Sequence, residues 1–492
     1  MEEEDSPEAL NLFQHHGRMR FHGVVIGRPT SVCTQECIVQ SAHLFTLRHK
    51  SVQCPGQCGN LNDYTDDEVV LETPLLLLHT RGAAVPHLSY DLLQMVSTEN
   101  HVLQMPLVTL VDHTKNVKAF GKGIAEFAGL KEYLNYVSVQ DSGTTTPEGY
   151  HEKNSISLWT RGGRKLVDPQ TYMTCIEALK PDMFQAIVDG DTTSNSSAKR
   201  VRRSVDDTVK FAGICADLKE KSEVLKDTPM LACITGGYNI KERLRCITEL
   251  KGLDVAGYVL EGFHTNGGSA TNLNWENMEP VLTETLGSLP DNLPRVFHGP
   301  VTPTILLKLV SKGIDIFDAT FPWVVAERGG ALVFPNSLAK GKAPVIETLP
   351  KINSSTLKAP EESDGVLGNE NSKEDLVDRV YEIYLKDKLY EAYKQFLYFA
   401  DHYYMCHFIV IPRYFNDTRP LVEGCSCYCC RKYSRSYVHH LGTVSELQGP
   451  ILLMMHNLHH YINFFRSIHL AIQGDQLEAL QSTLEEFVTS RR

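Results

Sequence analysis

Four cysteines fall within the seven residues GCSCYCC, Gly424 to Cys430, and three histidines, His456, His459 and His460, follow in the stretch LLMMHNLHHY. Thiolate and imidazole are the preferred ligands of tetrahedral zinc, and a closed structural site takes four protein ligands with no open position. Cys425, Cys427 and Cys430 supply three thiolates and the histidines offer the fourth ligand, which points to a Cys3His site binding one zinc ion per chain. Such an ion would pin a terminal helix to a loop that has too little core of its own. Buried free thiols beside surface histidines are the alternative, but thiols at this density are seldom left unligated. A redox role for Cys429 and Cys430 fits less well, because adjacent cysteines form only strained bridges. A second quartet, Cys33, Cys37, Cys54 and Cys58, makes two C-x3-C pairs and is a candidate for another zinc ion.

The rest of the chain must position these ligands. Its 492 residues, 42% hydrophobic and 22% charged, suit a soluble globular protein with room for a barrel-sized domain and additions. The most apolar stretch, Phe396 to Pro412, is interrupted by Asp401 and His402 and is too polar to span a membrane. The acidic start MEEEDSPEAL lacks the features of a secretory signal, so a reducing, cytoplasmic location is expected and the 13 cysteines read as thiols and metal ligands. A net charge of −12 argues against strong unaided binding to nucleic acid.

From Glu72 onward short apolar runs recur, each followed by a polar turn and an amphipathic stretch. They include PLVTLVD (106–112), YVSVQD (136–141), FQAIVD (184–189), PMLACIT (229–235), VAGYVL (255–260), PRVFHG (294–299), GIDIFD (313–318) and ALVF (331–334). Near eight such units predict an α/β fold, a (β/α)8 TIM barrel, with an appended zinc-binding subdomain. The expected organisation is an irregular segment over 1–70, the main part of the barrel over 71–335, a linker or insertion over 336–412, and the zinc subdomain with C-terminal helices over 413–492. Asp141, Asp189, Thr235, Glu261 and Asp318 stand at the C-terminal tips of the strands, the rim where barrels build their sites, although any single one is as well explained as a helix cap.

The spacing C-x-C-x2-C with a histidine 26 positions after the last cysteine resembles the zinc signature of tRNA-guanine transglycosylases, and Cys425, Cys427, Cys430 and His456 match it in register. YVHHL at 437–441 and the barrel from about Glu72 to Phe334 extend the resemblance. It implies exchange of guanine for queuine at the wobble position of certain tRNAs, with one aspartate attacking the ribose and a second serving as acid and base. By the same resemblance Asp318 in GIDIFDATFPW stands at the nucleophile, and Asp141 in VQDSGTTTPEGY at the acid/base position.

The pocket motifs depart from the family around these two aspartates. Thr144, Thr145 and Thr146 replace Gly-Phe-Gln, Gly236 replaces the base-reading glutamine, Glu261 intrudes on a Gly-Gly pair, and Trp323 and Val324 replace Thr-Arg. Asp189 is the base-recognising aspartate that is kept. A site that must hydrogen-bond a planar base tolerates such losses badly. The combination resembles a non-catalytic member of the family, with Asp141 and Asp318 as remnants, that forms a heterodimer with a catalytic subunit through the zinc subdomain and barrel edge and helps to hold tRNA. Lys199, Arg200, Arg202 and Arg203 are candidate phosphate contacts, with a solvated helix face as the alternative. The resemblance also implies peripheral association with the mitochondrial outer membrane. The competing expectations are an active transglycosylase, alone or as a homodimer, using Asp318, and a zinc-stabilised barrel scaffold without a tRNA function.

Overall fold

The computed structural model describes residues 46–51, 67–335, 382–384 and 414–491. Eight parallel strands close into a barrel: β1 (Leu75–His79), β2 (Val102–Pro106), β3 (Leu134–Ser138), β4 (Met183–Gln185), β5 (Met230–Ile234), β6 (Gly257–Leu260), β7 (Arg295–Phe297) and β8 (Ile316–Asp318). Each pairs with the next in sequence, and β8 returns to β1 with Ile316, Phe317 and Asp318 opposite Leu75, Leu76 and Leu77. Strands of this kind face a filled interior on one side and helices on the other, so they read as continuous apolar runs. LLLLH, VLQMP and MLACI are buried at every position.

Two expected barrel strands prove to be something else. Leu107–Leu110, within PLVTLVD, is a short helix, and the barrel strand lies just upstream at Val102–Pro106. A short apolar run does not by itself distinguish a strand from a buried helix, and Pro106 has no N–H to continue the ladder. Gly330–Leu332, which overlaps ALVF at Ala331 and Leu332, is a strand outside the barrel and pairs antiparallel with Glu382–Tyr384. The eight barrel strands therefore begin with Leu75–His79 and end before ALVF. The Cys33, Cys37, Cys54 and Cys58 quartet, the Phe396 to Pro412 stretch and nearly all of the 336–412 segment lie outside the described residues.

Helix ends carry the local residues that such ends require. The helix α1 (Ala198–Lys221) starts at Ser197, whose hydroxyl accepts from the Arg200 N–H, and Pro303–Ser311 is followed by Gly313 at φ +91°. After β8 come α2 (Thr320–Glu327) and, from the C-terminal part of the chain, the 26-residue helix α3 (Gln448–Gln473). Aromatic contacts seat α3 on the barrel: Tyr461 meets Phe321 at 6.2 Å between ring centroids, Phe465 meets Phe317 at 6.0 Å, and Phe464 meets Phe334 at 5.0 Å. Each such buried side chain contributes about 1.5–3 kcal/mol. Packing on this scale fixes the helix that carries the histidines. Among the described residues no helix is long and apolar enough to cross a membrane.

Candidate metal centre and barrel mouth

The C-x-C-x2-C segment turns into a short helix, Tyr428–Lys432, capped by Cys427, whose sulfur accepts from the Cys430 N–H at 3.3 Å. That turn brings the Cys425, Cys427 and Cys430 sulfurs together over α3. His456 Nδ1 lies 3.8, 3.4 and 3.4 Å from them in that order, and the four ligand atoms all lie within 4.8 Å of one another. The set could hold a metal ion. Its other ring nitrogen, Nε2, donates to the Leu332 carbonyl at 2.8 Å, which fixes the tautomer and leaves Nδ1 free to coordinate. Asn457 reinforces the same seam: its Oδ1 accepts from the Leu332 N–H at 2.9 Å, and its Nδ2 donates to Gly330 at 3.1 Å and Pro322 at 3.2 Å.

The other two histidines are engaged elsewhere. His459 lies 3.2 Å from the Ser426 hydroxyl and 3.5 Å from the Val96 carbonyl, and buried His460 bonds the Phe334 carbonyl at 2.9 Å. Cys429 is buried beside the cluster without joining it, and burial pushes its thiol well above the ordinary range.

At the barrel mouth, Asp141, Glu261 and Asp318 stand at strand tips linked through His79, His298 and Gly299. Asp318 is buried at the end of β8, where its carboxylate accepts from the Gly299 N–H at 2.9 Å and the Thr320 N–H at 3.1 Å. Burial pushes this carboxyl up, but His298, His79 and the two hydrogen bonds outweigh that and hold it below the usual range. Asp141 lies just beyond β3 and is paired with Arg81 at 3.1 Å and approached by His79 at 3.4 Å.

Trp323 packs beside this group, against the two residues that approach Asp141. Trp323 is 5% exposed, stacks on His79 with 5.2 Å between centroids, and has Arg81 4.9 Å from its ring. Gly143 makes room for it: a Cβ there would lie 2.0 Å from the indole. Loop bonds draw the mouth closed, from Gly267 N to the Ser142 carbonyl at 2.9 Å, from Thr146 N to the Thr265 carbonyl at 2.7 Å, and between the Ser142 and Thr320 hydroxyls at 2.7 Å. Glu261, at the tip of β6, accepts from Gln185 at 2.8 Å and faces His298 at 3.8 Å.

Asp189 is also occupied. Arg200 donates to both carboxylate oxygens of Asp189, one at 2.8 Å, and His151 stands 3.6 Å away. Arg200 is therefore turned toward Asp189, an arrangement that neither reading from sequence, phosphate contact or solvated helix face, anticipated. Lys199, Arg202 and Arg203 remain exposed on α1. Sequence reasoning also missed Arg243, a fully buried guanidinium that donates to the Gly237, Ile234 and Glu261 carbonyls and lies 3.6 Å from the centre of the Phe263 ring. Its i+7 distance from Gly236 in ACITGGYNIKERL gave no signal of this, since a lone arginine on a helix is ordinarily solvated.

The family profile described as "Queuine tRNA-ribosyltransferase" matches residues 54–490. The chain is 36% identical over 421 residues to a Xenopus tropicalis protein named "Queuine tRNA-ribosyltransferase accessory subunit 2", covering 85% of this chain and 93% of that one. Proteins of the same name from Danio rerio and Aedes aegypti are 35% and 33% identical, over 84% and 88% of this chain and 92% and 90% of theirs.

Proposed function

Because the chain belongs to the queuine tRNA-ribosyltransferase family, we propose that it is the non-catalytic subunit of a heterodimer that exchanges guanine for queuine at the tRNA wobble position. The observation that carries this reading is the state of the mouth. Asp189 has both oxygens taken by Arg200, and Trp323 occupies the space beside Asp141. A purine entering there would have to displace a buried ion pair and a packed indole, and breaking a buried pair costs about 3–5 kcal/mol. Asp141 and Asp318 are accordingly remnants, and the chemistry belongs to the partner.

Zinc is the ion that suits Cys425, Cys427, Cys430 and His456. A tetrahedron with Zn–S near ~2.3 Å and Zn–N near ~2.0 Å has sulfur-to-nitrogen edges of roughly 3.5 Å, and the observed separations are 3.4–3.8 Å. One ion per chain would clamp α3 to the C-x-C-x2-C turn as a structural centre, with 413–492 acting as the zinc subdomain and 71–335 as the barrel domain.

The zinc subdomain is also the proposed docking face for the catalytic subunit. Leu447 is 82% exposed and Val444 50% exposed, beside a cavity of about 120 Å³ lined in part by His87, Glu327, Val438, Pro450 and Leu453. Large apolar side chains exposed around a concavity mark interaction surfaces. The complex would contact tRNA, and a cytoplasmic location with peripheral attachment to the mitochondrial outer membrane fits the family. Mixing the chain with a catalytic subunit and measuring mass by light scattering tests the docking face: a one-to-one complex is expected for the wild type and loss of it for Leu447→Asp. A complex formed equally well by that variant would place the interface elsewhere.

A further inference from the structure

The excursion between β3 and β4 carries a β-hairpin, Ile156–Thr160 paired with Gly163–Val167, that no role so far described uses. Its base is tied to the barrel mouth, where the Gly149 N–H donates to Asp191 at 2.6 Å and Gln140 donates to the Ser157 carbonyl at 3.2 Å. Two large aromatics stand out from it. Tyr150 is 47% exposed and Trp159 37% exposed, in edge-to-face contact at 5.1 Å.

Cations share this surface. Arg164 lies 5.7 Å from the centre of the Tyr150 ring while bonded to the Tyr150 carbonyl and Glu152. Arg161, at the exposed turn, and Lys153 have no carboxylate partner among the described residues. The face of α1 that carries Arg203 and, two turns on, Lys210 lies alongside, because Lys210 Nζ donates to Asn154 at 2.5 Å. Four carboxylates stand among these cations: Glu152, Asp112 and Asp207 are paired with Arg164, Lys165 and Arg203, and exposed Glu148 lies two residues before Tyr150. On a chain of net charge −12, this is a local surplus of cations around exposed rings.

We propose that the Ile156–Val167 hairpin and the adjoining face of α1 form a platform that binds unpaired nucleotides of RNA. Bases stack on aromatic side chains whatever their identity, and arginine and lysine beside them take the phosphates. A protein partner would call for apolar area without this surplus of cations. The inference rests on the reading that the chain serves a tRNA-modifying complex, and it names the surface with which it does so.

The test uses the full chain in its heterodimer with a catalytic subunit, and reads binding of a short labelled oligouridylate and of a substrate tRNA transcript by fluorescence anisotropy over a range of salt. Tyr150→Ala with Trp159→Ala is expected to weaken oligouridylate binding at least about tenfold, with Trp159→Phe close to wild type. Arg161→Glu, at an exposed turn where folding is not at stake, is expected to weaken both RNAs and to reduce the salt slope by about one. Guanine exchange should then show a raised KM for tRNA with kcat unchanged. Unchanged RNA affinity in both variants would overturn the platform. So would a loss of heterodimer formation in place of RNA binding, or equal weakening toward heparin, a polyanion without bases, in the aromatic variant. A wild-type heterodimer that neither binds tRNA nor exchanges guanine would instead sink the parent reading.

Discussion

Arg200 lies across Asp189 so that its two terminal nitrogens each meet a different carboxylate oxygen, and the buried carboxylate is thereby neutralised from within the chain. Asp189 is 1% exposed and Arg200 partly buried. The pair both holds α1 to the barrel and closes the site.

Removing one partner leaves an uncompensated buried charge. Arg200→Met is therefore expected to lower unfolding stability by about 3 kcal/mol, while adding Asp189→Asn should recover most of that loss. Urea denaturation of the two single variants and the double variant measures the coupling. Additive losses would mean that the two side chains do not act as a pair.

The metal centre makes a discriminating prediction among neighbouring residues. Cys427→Ala and His456→Ala should each abolish stoichiometric zinc and destabilise the C-terminal helices, because structural zinc supplies folding energy of roughly 10 kcal/mol or more. Cys429→Ala and His459→Ala should keep zinc, since neither side chain joins the cluster. Metal analysis of the purified proteins reads the outcome. Loss of zinc from Cys429→Ala with retention in Cys427→Ala would reverse the ligand assignment.

Much of this was legible in advance. The C-x-C-x2-C spacing and a distant histidine require only that two segments meet; ligand chemistry left His456, His459 and His460 open, and the family resemblance singled out His456. The barrel was legible because strands covered on both sides are apolar throughout, as in MLACI. That same uniformity hid the boundary at Pro106, where the apolar texture continues from strand into helix. Arg200 was misread for a different reason: charge on a helix says nothing about which face it occupies until the buried residues Val201, Ser204, Val205 and Thr208 fix the rotation. The hairpin at Ile156–Val167 had a signal in the Gly-Gly of WTRGGRKLV, flanked by strand-forming residues. Trp323 was visible as a departure from the family motif, but its place against Gly143 depends on a meeting of the segments that follow β3 and β8, seen also in the Ser142–Thr320 hydroxyl pair, which are remote in sequence.

Stability should also depend on pH through His101. Burial takes its imidazole down to about 4, with Glu99 opposing and Arg466 adding to the drop. The unfolded chain binds this proton near pH ~6.5 and the folded chain does not, so stability falls as pH falls between those values, by up to about 3 kcal/mol. Asp315 runs the other way, since burial raises its carboxyl to about 8 and its contribution is lost as pH rises toward that value. The measurement is accordingly a difference: His101→Gln compared with wild type by urea denaturation at pH 7 and pH 5, with a smaller acid loss expected in the variant. Parallel losses in the two proteins would remove His101 as a cause.

The central claim is that this chain assists exchange without performing it. Incorporation of labelled guanine into substrate tRNA should be measured for this chain alone, for a catalytic subunit alone, and for the two mixed, with wild type and Asp318→Ala versions of this chain. Activity that appears only in the mixture and survives Asp318→Ala is the result predicted. Activity from this chain alone that disappears with Asp318→Ala would contradict the account and identify a divergent enzyme.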